Sequence, residues 1–195
     1  MVHYHDSAHD LKQNANKEDA VSLLKLHGSL NWALAPYIEP TNTPIRIYRD
    51  FRDVPIRSYQ PNVAQELLLA PPVWDKGTAK IGHPLSGVWS HAIKKLEIAT
   101  RIFVIGYSLP LVDSHFRYLF AAGLQHNISL REVIFVDPAF DETNPNKDAL
   151  ESRVFSILWT DMQKSGMLKL LPFTARQFFL HKDSASILNR KYPVV

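Results

Sequence analysis

Along the second half of the chain, short unbroken apolar runs alternate with segments of helical period. Residues 102–105 (IFVI) and 133–136 (VIFV) contain no polar position, as in strands buried on both faces of a parallel sheet. After the first run Gly106 breaks the pattern. Ser108 can cap a helix and Pro110 suits a first helical turn, with Val112, Phe116, Leu119 and Phe120 recurring along one face. Residues 84–99 read as a helix with Leu85, Val88, Trp89, Ala92, Ile93 and Leu96 inward, and 148–158 as another with Leu150, Val154, Ile157 and Leu158 inward. A short strand at 167–171 follows, then a helix capped by Thr174 and carrying Phe178 and Phe179.

Upstream the pattern is looser. Residues 21–26 (VSLLKL) and 67–70 are strand candidates, the first ending at His27-Gly28 and the second stopped by Pro71-Pro72. Between them, residues 31–66 hold five of the thirteen prolines and predict a loop-rich insertion with one short strand at 45–48. Its aromatics (Trp32, Tyr37, Tyr48, Phe51, Tyr59) suit a small satellite core better than a platform for bases. Residues 1–19 are polar and read as a tail, leaving one domain over 20–195. The β/α alternation predicts a three-layer, open, mainly parallel sheet containing 21–26, 102–105 and 133–136, with 67–70 near them.

Composition narrows the classes. The chain is 46% hydrophobic and 21% charged, ordinary for a soluble domain. The absence of cysteine excludes disulfides and thiolate zinc sites and fits a reducing, cytoplasmic setting. No apolar run is long enough to span a membrane, and the polar N-terminus is unlike a signal peptide. The net charge of +3 is scattered rather than striped, which lends nucleic-acid binding little support. His3, His5 and His9 fit a polar tail better than a metal site, so no metal is expected.

Three polar positions follow apolar strands: His27, the Gly106-Tyr107-Ser108 turn, and Asp137. Parallel strands would gather them along one carboxyl edge, where α/β sheets bind ligands and helix N-termini favour phosphate. An Asp at such an edge can accept both hydroxyls of a ribose, or simply close an Asp-Pro turn. His27 can take a proton from a hydroxyl, or be a structural residue beside a glycine turn. Asp113 is either a substrate or ribose contact or an acid that compensates the helix dipole.

Four ordered stretches, KLHGSLNW (25–32), LLLAPPVWDK (67–76), ATRIFVIGYSLPLVD (99–113) and VIFVDPA (133–139), resemble a sirtuin-like domain. The similarity is closest to the prokaryotic branch of anti-phage defence proteins, and LPFTARQFF (171–179) looks like the end of such a domain. The resemblance implies a Rossmann-like sheet and NAD as substrate. It further implies that His27 is the general base on the nicotinamide ribose, that Gly106, Tyr107 and Ser108 hold phosphate and ribose, and that Asp137 lies near the adenosine; Asp113 is grouped with these as a candidate cofactor contact. Loss of nicotinamide passes through an oxocarbenium-like state, and water attack would give ADP-ribose.

Departures from the family pattern qualify this expectation. The Gly-Ala-Gly phosphate loop and the Asn-bearing segment that positions nicotinamide do not occur, so the chain resembles the C-terminal portion of a domain lacking about its first third. The zinc ribbon is replaced by the cysteine-free insertion, and PPVWDK stands where a peptide-pairing segment would be. NAD hydrolysis is therefore expected over peptide deacylation. The alternative is a catalytically inactive fragment that binds a nucleotide or a partner. The unpaired sheet edge of a partial domain also implies a protein partner or a homo-oligomer.

Overall fold

The computed structural model describes residues 2–4, 21–34, 45–54, 67–69 and 85–190. Within them the chain is a mixed α/β protein divided into two compact units, residues 1–92 and 93–195, where the sequence predicts one domain over 20–195.

Among the described residues the first unit holds five short strands. β1 (Val2–Tyr4) and β2 (Val21–Leu23) pair in parallel, Val2 opposite Val21. β1 lies inside the stretch read as a polar tail, of which residues 1 and 5–19 fall outside the described residues. β3 (Gly28–Leu34) is the centre of an antiparallel sheet, flanked by β4 (Ile45–Ile47) and β5 (Leu67–Leu69). Trp32 and Ala33 on β3 are fully buried, with Ile45 and Leu68 buried beside them. Trp32 and the 45–48 strand behave as anticipated, whereas Phe51 is exposed and Tyr37 and Tyr59 lie outside the described residues. Gly28 is dictated by the pairing: its φ is +75°, and a Cβ there would meet the Leu68 carbonyl oxygen at 2.0 Å.

Helix α1 (Ser86–Glu97) links the units in sequence and buries Val88, Trp89 and Ala92. The second unit is built on a parallel sheet in the order β6 (Arg101–Ile105), β7 (Glu132–Val136), β8 (Leu168–Leu171). Helix α2 (Ser114–Leu124) joins β6 to β7, and α3 (Lys147–Phe155) and α4 (Thr160–Lys164) join β7 to β8. Alternate strand residues divide between two cores. Ile102, Val104, Val133 and Phe135 pack with Phe120, Leu124, Leu150, Val154 and Met162 of α2, α3 and α4. Ile134 and Val136 pack on the opposite face with Phe178 of α5 (Ala175–Leu180) and Ile187 of α6 (Ser184–Asn189). Every residue of β7 is buried, which is why its sequence is unbroken apolar after Glu132. This unit is therefore layered helix–sheet–helix.

Two strand assignments are corrected. The third parallel partner of 102–105 and 133–136 is β8, while the 21–26 candidate shortens to β2 and pairs with β1. Residues 67–69 run antiparallel to β3, a strand that begins before, and enters, the segment read as loop-rich. Hydrophobic period shows that a segment is a strand but not which strand it pairs with.

At the amino end of this sheet Glu132 is the one buried acid in the strands, its side chain 3% exposed. Arg101, its register partner on β6, donates from Nε to Oε2 at 2.8 Å, and Lys169 and Arg190 approach Oε1. Arg101 Nη1 also donates to the carbonyls of Leu188 and Arg190, which ties the end of α6 to the sheet. Burial alone would raise the Glu132 carboxyl, but hydrogen bonds from Lys169 and Arg101 outweigh it and hold the group below its ordinary range. Among the described residues no helix is long and apolar enough to cross a membrane.

Candidate functional site

The carboxyl ends of β6 and β7 lie side by side, Ile105 opposite Val136. Gly106 continues from β6 with φ +66° and donates its N–H to the Val136 carbonyl at 3.0 Å, so the two following loops leave the sheet together. The first loop does not enter its helix where the sequence suggests. Ser108 is exposed and caps nothing. Pro110 instead accepts through its carbonyl from Asp113 N–H at 3.0 Å, closing a turn. Asp113 is the N-cap of α2: its Oδ1 accepts from Phe116 N–H at 3.2 Å. The dipole-compensating reading of Asp113 thus corresponds to an actual cap. Val112, expected inward, is 70% exposed together with Leu111, and Leu109 takes the buried place at 2% exposure.

Leu109 is also strained. Its φ is +51°, uncommon for a branched residue and unexpected before proline. Such outliers persist where surrounding contacts hold them. Here the hold is a hydrogen bond from Tyr107 Oη to Asp113 Oδ2 at 2.5 Å, with the Tyr107 ring against Phe116 at a centroid distance of 4.6 Å. Burial, then the Asp113 hydrogen bond and charge, pushes the Tyr107 phenol well above its ordinary range, so it stays a donor. With the chain bent at Gly106 and Leu109, the N–H groups of Tyr107, Ser108 and Leu109 find no acceptor among the described residues. Adjacent unpaired N–H groups beside a helix start suit an anion.

Asp137, after β7, caps a short 3₁₀ turn over Pro138–Phe140, its Oδ1 accepting from Ala139 N–H at 2.8 Å. Its own N–H donates to the Leu171 carbonyl at 3.1 Å, bringing the end of β8 to the same edge. The second carboxylate oxygen has no partner among the described residues and can accept a hydroxyl. Gly106, Tyr107, Ser108 and Asp137 are thereby gathered at one sheet edge, with Asp113 tied to the first loop through the Tyr107 hydroxyl.

His27 belongs to the first unit, in the turn between β2 and β3 closed by Gly28 N–H on the Lys25 carbonyl at 3.0 Å. Half-buried, its ring stands edge-on to Trp89 at 6.1 Å, and Trp89 Nε1 donates to the Leu26 carbonyl at 2.8 Å. Much of the rest of KLHGSLNW is structural. Lys25 Nζ donates to Ser29 Oγ, Ser29 Oγ to Asn31 Oδ1, and Asn31 Nδ2 to the Tyr48 carbonyl, each at 2.7 Å. PPVWDK and the side chains of His3, His5 and His9 lie outside the described residues.

Sequence reasoning missed the Tyr107–Asp113 bond and the turned Leu109. The first was accessible in principle from Tyr and Asp flanking a Pro turn, whereas the second runs against local preference. Comparison of the chain with family models, curated proteins and solved structures yields no match.

Proposed function

We propose that the carboxyl edge of β6 and β7 binds NAD and that the chain acts as a Rossmann-like, sirtuin-type NAD glycohydrolase. The observation that carries the reading is the set of N–H groups at Tyr107, Ser108 and Leu109, unpaired among the described residues, on the loop after β6, with the half-free carboxylate of Asp137 at the adjoining end of β7. The N–H groups suit the pyrophosphate, and Asp137 suits ribose hydroxyls. On the resemblance alone His27, which belongs to the first unit, takes the role of the base that draws a proton from a ribose hydroxyl as positive charge develops at the anomeric carbon. Water then replaces nicotinamide and ADP-ribose leaves. The four sequence stretches that resemble a sirtuin-like domain suggest NAD as substrate and a role in anti-phage defence, the absence of cysteine suggests a cytoplasmic setting, and the layered second unit is compatible with the fold the resemblance implies.

A binding-only reading is favoured by a different observation: Asp113 and Asp137 both use an oxygen to cap a turn, as ordinary structural acids do. Paired variants separate the two. For a glycohydrolase, His27→Ala abolishes nicotinamide release and leaves NAD affinity nearly intact, whereas Asp137→Ala weakens affinity by about 1–3 kcal/mol. NAD binding without nicotinamide release in the natural chain selects the binding-only reading, and full release by His27→Ala removes the histidine from the mechanism.

A further inference from the structure

Beyond β8 the chain builds a groove of about 510 Å3 lined by Phe173, Arg176, Gln177, Leu180 and His181. None of these residues belongs to the loops discussed above. Phe173 turns back by donating its N–H to the Leu171 carbonyl at 2.9 Å, and its inner side packs against the Ile134, Val136 and Phe178 core. Thr174 and Gln177 then form a reciprocal capping box that starts α5. That box fixes α5 so that Arg176, Gln177 and Leu180 line the groove, with His181 closing it at the helix end.

The walls have a definite chemistry. The Phe173 and His181 rings are 5.2 Å apart with an interplanar angle of 34°, and Leu180 adds exposed apolar surface. The polar groups are mostly donors. Gln177 Oε1 already accepts from Thr174 N–H and Oγ1, which leaves its amide N–H groups for a ligand. His181 Nδ1 accepts from Asp183 N–H at 3.3 Å, so in the neutral ring the proton is on Nε2. Among the described residues the Arg176 guanidinium has no partner and no carboxylate lines the groove. Asp183 Oδ2 lies 3.7 Å from His181 Nδ1. An apolar ring surface next to a forked cation matches a ligand with both halves, a flat ring and an attached oxyanion. The volume is within the range of small-molecule sites.

We propose that this groove is a binding site for a small aromatic oxyanion, with Arg176 holding the anionic group and Phe173, Leu180 and His181 covering the ring. It does not depend on the NAD reading, because it uses other residues. The test is a titration of the intact chain with phenyl phosphate, and in a second arm with benzoate, followed by amide chemical shifts. The expected result is saturable shifts at Phe173, Arg176, Gln177, Leu180 and His181 for one or both probes, the stronger arm telling phosphate from carboxylate. Inorganic phosphate and benzyl alcohol, each carrying one half, should bind at least about tenfold more weakly, and Arg176→Gln should lose about tenfold. Because Arg176 is exposed and outside the core, that variant keeps the fold, and unchanged shifts in β7 verify it. The proposal is overturned by shifts centred on Tyr107–Leu109 instead, or by none at these five residues up to about 10 mM of either probe. It is equally overturned by inorganic phosphate binding as tightly as phenyl phosphate, or by undiminished binding to Arg176→Gln.

Discussion

Replacing Asp113 with alanine removes two bonds that hold the loop after β6: the cap on Phe116 N–H and the acceptor for the Tyr107 hydroxyl. A lost N-cap costs about 1 kcal/mol. A hydrogen bond to a charged group contributes about 1.5–3 kcal/mol, and here its loss strands a half-buried phenol. Together the second unit should lose about 2–4 kcal/mol. Asp113→Asn keeps a good cap but cannot accept through both side-chain atoms, so it should lose about half as much. Tyr107→Phe removes only the Oη bond, for about 1–2 kcal/mol. The assay is native-state amide exchange of β7, whose buried N–H groups report the opening of this unit. Since Tyr107 and Asp113 share a bond, the double variant should fall short of the sum of the singles by at least about 1 kcal/mol. A loss below about 0.5 kcal/mol for Asp113→Ala, or strictly additive singles, would refute the lock.

Glu132→Gln deprives the Arg101 guanidinium, 8% exposed, of its carboxylate and should cost about 3–5 kcal/mol in urea unfolding. Because the folded Glu132 carboxyl is depressed, its stabilisation is full above the ordinary carboxylate range. It is lost as pH falls below about 4, so the gap between natural chain and variant should be constant from about pH 5 to 8 and narrow in acid. A gap independent of pH down to about 3 would contradict this assignment. Gly28→Ala must push a methyl into the Leu68 carbonyl at a positive φ, and should cost more than about 2 kcal/mol while stripping exchange protection from β3 and β5. Retained protection there would show that the two strands are not held this closely.

The second unit was the more legible in the sequence. Runs 102–105 and 133–136 announced themselves because both faces of those strands are covered, and Thr174 was readable as a cap because its partner Gln177 is three residues on. Period pointed to the helix at 147–155 but read it as 148–158, three residues too far at its end, while the helix at 175–180 was legible from its cap. Strand partners were not legible, since the pairing of Val21–Leu23 with Val2–Tyr4, and of Leu67–Leu69 with Gly28–Leu34, rests on contacts distant in sequence. The start of α2 was misplaced for a local reason. Ser108 and Pro110 carry the right chemistry for a cap and first turn, but Leu109 turns left-handed and moves the start to Asp113. Of the candidate site, the gathering of Gly106, Tyr107, Ser108 and Asp137 at one edge was legible from strand ends alone. The unpaired N–H row was not, because it depends on backbone angles that residue types do not encode.

The central claim is that this row of N–H groups holds the phosphates of NAD. Its most direct test is a titration of the chain with NAD, followed through the amide resonances of Tyr107, Ser108 and Leu109 at low and high salt. Saturable shifts are expected at those three amides, with Asp137 moving in step and only a modest weakening by salt. Saturating NAD that leaves the three amides unmoved, or that shifts only residues remote from the ends of β6 and β7, would contradict it.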